Sequence, residues 1–64
     1  MLKDRKVLVE EEITKLTNIA AQMYLNAMIS LDSLSSEYQT IRERITDLQH
    51  ERKMIQLLID QGHE

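Results

Sequence analysis

Residues 32–39 read Asp32-Ser33-Leu34-Ser35-Ser36-Glu37-Tyr38-Gln39, and the reading of this stretch decides the fold. Aspartate and serine side chains compete with helical backbone hydrogen bonds and favour caps and turns. Ser36-Glu37-Tyr38-Gln39 fits the S-x-x-Q capping box, in which the serine oxygen takes an orphan amide and the glutamine reaches back. Glu37 would then sit in a first helical turn, where a negative charge suits the helix dipole. The stretch predicts a break over residues 32–35 and a new helix from Ser36.

Upstream, Val9, Ile13, Leu16, Ala20, Met23, Ala27, Ser30 and Leu34 step by four and three in turn, which is heptad spacing. Downstream, Tyr38, Ile41, Ile45, Leu48, Arg52, Ile55 and Ile59 continue it. There is no proline, and the only glycine, Gly62, is placed to close a helix in the left-handed conformation. Phe and Trp are absent, and β-branched residues never alternate with polar ones over a strand length. An all-α class follows. The 64 residues make a single domain, a two-helix antiparallel hairpin with helix 3–31, turn 32–35 and helix 36–61. Each helix would be about 40 Å long. Ala20 and Ala27, one heptad apart, mark the expected closest approach of the helices. Arg52 on the seam would set register, pair with a partner carboxylate or reach past the seam to water. A competing arrangement is one uninterrupted helix of about 58 residues in a long coiled coil. The apolar phase does run back through Leu34, Leu31, Ala27, Tyr24 and Ala20 without a skip. The serine cluster favours the hairpin.

A chain this short buries too little surface to be comfortably stable alone. With no cysteine, neither a disulfide nor a thiolate metal site can help, so association with a partner is the expected remedy. From Leu16 to Leu31 no acid or base occurs apart from the Tyr24 phenol. In that run Ile19, Tyr24, Leu25, Met28, Ile29 and Leu31 lie off the seam, and a helix apolar on most sides is buried on most sides. Met54-Ile55-Gln56-Leu57-Leu58-Ile59 repeats the pattern. Burying one Leu or Ile is worth about 1.5–3 kcal/mol, and two such patches exceed what soluble monomers usually expose. The expected interface is Leu16, Ala20, Met23, Tyr24, Ala27, Met28, Leu31, Ile55, Leu58 and Ile59. A homodimer forming a four-helix bundle is the simplest closed arrangement, with a stable hetero-partner as the other. Met23, Met28 and Met54 either make that contact adaptable or are ordinary core residues.

Sites of chemistry are scarce. Asp47-x-x-His50 and Asp60-x-x-His63 share the spacing of half a bundle metal motif, but His50 falls opposite the seam and His63 beyond the helix, so no metal is expected. Glu10-Glu11-Glu12 reads as a solvated face, with Glu11 supporting Lys15, or else as a docking patch for a basic partner. Arg42, Arg44, Arg52 and Lys53, joined by Lys3, Arg5 and Lys6, are interleaved with Glu43, Asp47 and Glu51. With a net charge of −3 and no Phe or Trp to stack on bases, nucleic acid is not the favoured partner. Ser30, Ser33, Ser35 and Ser36 have no neighbouring base and no phosphate loop exists, so neither catalysis, a cofactor nor a small-molecule substrate is expected. Residues 1–6 are charged, with no apolar region of signal-peptide type after them and no membrane span, and the expected compartment is the cytoplasm.

Two resemblances bear on function. In size and hairpin layout the chain is similar to the Rop family of plasmid RNA-binding bundles, without any matching residue motif. Tyr38-Gln39, Leu48, Met54-Ile55 and Leu57-Leu58 resemble the closing helix of the small co-chaperones of type III secretion needle subunits. That resemblance covers some of the second helix only. It implies a helical hairpin that binds a larger chaperone and keeps an aggregation-prone subunit soluble. From the residues themselves, the expectation is a self-associating bacterial or phage regulator or adaptor that masks a partner's surface.

Overall fold

The chain reverses direction between Leu31 and Ser35. In the computed structural model, which describes residues 1–63, helix α1 covers Leu2–Ser30 and helix α2 covers Ser36–Asp60. The two pack side by side as an antiparallel hairpin, 49 Å long and 14 by 13 Å across. No strand occurs among the described residues. The continuous-helix alternative is thereby set aside.

The reversal is built differently from the sequence expectation. Leu31, expected as the last helical residue, sits past the end of α1 in the left-handed region (φ 56°, ψ 32°). Its amide donates to the Met28 carbonyl, and the Asp32 amide donates to Ala27. This nested pair of bonds is the Schellman closure, whose left-handed position normally belongs to glycine. The end of α2 shows the glycine version. There Gly62 (φ 83°) donates to Ile59 and His63 to Leu58, with Gln61 as the cap residue outside the helix. A side chain in this conformation crowds the neighbouring carbonyl at a cost of roughly 1–2 kcal/mol. One closure is unstrained and the other is strained.

The new helix is capped by Ser35, one residue earlier than expected. Ser35 Oγ accepts from the Tyr38 amide at 3.3 Å, with an extended backbone at φ −76°, ψ 166°. With Ser35 as cap, the third helical residue is Tyr38, which has no group to reach back. The Ser36–Gln39 capping box is therefore not formed. Ser36 is instead helical, and its carbonyl accepts from Thr40 Oγ1.

Packing follows the heptad seam unevenly. Val9, Leu48 and Ile55 form the buried centre, with Leu2, Ile13, Leu16 and Ile59 packed around them. Ala20 and Ile45 are buried a step nearer the turn. Beyond them the seam is only half-closed at Met23, Ala27, Tyr38 and Ile41, and Ser30 and Leu34 are exposed. Two ion pairs fix register on one flank. Arg5 donates through Nε and Nη2 to Glu51 Oε1 at 2.9 and 2.6 Å, and Arg44 Nη2 lies 3.5 Å from Glu12 Oε1. Arg52, expected on the seam, is exposed, and half-buried Glu51 occupies that turn of the groove instead. The heptad count placed the arginine inward, but while Leu48 and Ile55 on either side stay in phase, Arg52 is exposed and Glu51 at the groove edge meets Arg5. The expected Glu11–Lys15 support is replaced by these pairs between helices. Exposed pairs contribute at most about 1 kcal/mol each, so they choose the register and the seam supplies the stability.

Two single substitutions separate the turn's parts. Leu31→Gly should stabilise the hairpin by about 1 kcal/mol by relieving the left-handed strain. Ser35→Ala should destabilise it by about 1 kcal/mol through the lost cap. Urea unfolding at low protein concentration reads both; equal effects of one sign would contradict this turn.

Candidate protein–protein interface

Charge and core are distributed alike along the rod. Of the eight basic and eleven acidic residues, only Asp32 and Glu37 lie between Leu16 and Ile41. The hairpin brings the uncharged halves of both helices together at the turn end. That same end contains no buried side chain beyond Ala20 on α1 or before Ile45 on α2. The charged half of the molecule has a core, and the uncharged half does not.

What the turn end exposes instead is apolar. Leu31 is 92% exposed and Ile29 81%, with Tyr24, Leu25, Met28 and Leu34 between about two-fifths and three-fifths exposed. Tyr24, Ala27, Met28, Leu31 and Leu34 line one open groove with Asp32 at its rim. The Tyr24 ring is steadied from below by Tyr38, their centroids 6.5 Å apart and their planes tilted by 41°, an arrangement aromatic pairs favour. Thr17, Ala21, Tyr24, Met28 and Leu31 are spaced by four and three, so they form a second stripe along α1 beside the seam. All five are exposed.

The ten residues expected to form the interface divide into two groups. Ala20 and Ile55 are buried inside the hairpin, and Leu16, Met23, Ala27 and Ile59 are half-buried along the seam. Tyr24, Met28, Leu31 and Leu58 are exposed and free to meet another chain. Among the small residues of the seam, Ala20 is closed over and Ala27 is only half so. The second apolar patch expected on α2 is joined by two α1 residues that charged neighbours hid in the sequence. Val7 and Leu8 on α1, and Met54, Leu57 and Leu58 on α2, are exposed towards the open end of the hairpin. Val7-Leu8 lies between Lys6 and Glu10, and only its position off the seam could have marked it.

Features of a chemical site are not assembled. No buried polar or charged residue, and no buried side-chain nitrogen or oxygen without a partner, occurs among the described residues. Among them no group of three His, Asp or Glu side chains is placed to hold a metal ion. His50 is exposed on the outer face of α2. Of the basic group, Arg5 and Arg44 are already engaged by Glu51 and Glu12. Among the described residues no helix is long and apolar enough to cross a membrane. No family model, curated protein or solved structure matches the chain.

If the turn-end residues face water in the single hairpin, Met28→Lys should change the stability of the isolated chain by less than about 0.5 kcal/mol. Leu48→Ala, at the closed centre, should cost about 2–5 kcal/mol. Denaturant melts of both variants check the contrast, which disappears if Met28 is a core residue.

Proposed function

We propose that this protein is a non-enzymatic interaction module, a small regulator or adaptor that works as a homodimer and masks an apolar surface of a partner protein. The single observation that carries this reading is the turn end, where charge and core are both missing and large apolar side chains stand in water. A soluble chain does not usually leave such a contiguous patch uncovered.

The mechanism is occlusion. Helix faces rich in Leu, Ile and Met cover a matching stripe on the partner, and methionine adapts its shape to it. Homodimerisation keeps the patch covered until the partner's stripe takes the place of the second copy. Binding would draw on apolar burial and depend weakly on salt. Nucleic-acid binding through the basic residues would instead weaken steeply with salt.

Sedimentation equilibrium tests the reading. The expected species has twice the 7.5 kDa chain mass and persists when salt is raised about tenfold, because little of the contact is charged. A well-folded monomer at roughly 100 μM would overturn the homodimer. A chain that stays monomeric and poorly ordered alone, then orders with a larger chaperone, would favour the co-chaperone reading instead.

A further inference from the structure

We infer that the second copy binds at the turn end, with the two α1 helices running antiparallel over Thr17–Leu31 and the Tyr24 side chains meeting at the two-fold axis. The inference rests on the homodimer reading and adds where and in what register the copies meet.

Three features select this surface and this occupant. A contact around a two-fold axis sets residues near the axis against their own copies, so any charge there meets its like. A hetero-partner imposes no such condition, because it can supply the opposite charge. The run from Leu16 to Leu31 satisfies the condition, with no acid or base other than the Tyr24 phenol. The second feature is exposure. Tyr24, Leu25, Met28 and Ile29 stand 48–81% exposed along this one stretch of α1, more than a solvated face normally leaves contiguous. The third is Leu31 itself. It holds a strained left-handed position while 92% exposed, and at the other helix end the same closure is made by Gly62 without strain. A leucine at such a place contributes nothing visible to the single hairpin; its side chain is accounted for by a contact with another chain.

The register follows from side-chain size. With Tyr24 packed on its own copy at the axis, Thr17 faces Leu31 and Ala21 faces Met28, so on either side of the axis a large side chain meets a small one. A parallel arrangement would set Leu31 against Leu31 and leave a gap at Thr17. The overlap spans Thr17–Leu31, the last fourteen residues of α1 and the Leu31 that follows it, about 22 Å. The two rods therefore extend away from each other, and the charged, well-packed halves project at the ends.

The absence of native cysteine makes the register directly measurable. In the full chain, Tyr24→Cys should oxidise to a covalent dimer, because only at the axis do equivalent Cα atoms come within about 4.4–6.8 Å. An equimolar mixture of Ala21→Cys and Met28→Cys chains, which keeps Tyr24, should yield mostly the mixed disulfide. Leu8→Cys and Met54→Cys should remain uncoupled. Small-angle scattering should give a largest dimension of about 75 Å, against roughly 50 Å for rods lying fully side by side. Leu31→Gly should weaken the dimer at least about tenfold while raising the melting temperature of the dilute chain. A dimer of the right mass that couples through Leu8→Cys or Met54→Cys, or that is only about as long as one hairpin, overturns this placement and leaves the homodimer reading standing. A monomer by sedimentation overturns both.

Discussion

One helix can cover only one side of another. That limit governs the molecule, because α1 is apolar around most of its circumference in its second half and α2 can shield a single stripe of it. Where the remaining faces carry most of the charge, as on residues 3–15, the seam closes over Val9, Leu48 and Ile55, and Val7 and Leu8 are the large apolar side chains of that stretch left exposed. Where they do not, the structure leaves Tyr24, Leu25, Met28, Ile29 and Leu31 in contact with water. The uneven core and the exposed patch thus have the same cause.

Shape amplifies the effect. A chain of this length packed as a sphere-like domain would have a radius of gyration of about 10.7 Å, whereas the rod has 14.9 Å. An elongated two-helix body has no second layer in which to hide a second stripe. Its core is a line of side chains, each touching few others, so stability depends on seam continuity. The seam is most continuous where Leu2, Ile13, Leu16 and Ile59 surround the central three residues.

Much of this was legible in the residues, for identifiable reasons. The hairpin class follows from heptad spacing and the serine cluster, because both act locally and are not overridden by packing. The uncharged run on α1 was equally plain, and so was the closing role of Gly62. Other features depend on three-dimensional placement. Ser35 and Ser36 are chemically the same, and the S-x-x-Q pattern pointed to the wrong one; the closure at Leu31 fixes where the chain can turn back. No rule of propensity puts leucine in a left-handed position. Arg52 matched the repeat by number, yet a long charged side chain gains nothing from the seam and is exposed, while Glu51 beside it finds Arg5 across the groove. Of the ten interface residues, six serve the hairpin's own seam to some degree, because a heptad list cannot distinguish contacts within a chain from contacts between copies.

The position of the core has a kinetic consequence. Val9, Leu48 and Ile55, the residues that pack best, are also far apart along the chain, while those next to the turn pack least. A helical hairpin usually zips outward from its turn, since short loops cost little entropy to close. Here the first inter-helix contacts available to such a zipper are its weakest, and the strong ones require most of the chain to be looped out. The contacts that reward closure thus have a large sequence separation, and non-local contacts of this kind raise the entropy spent before they form.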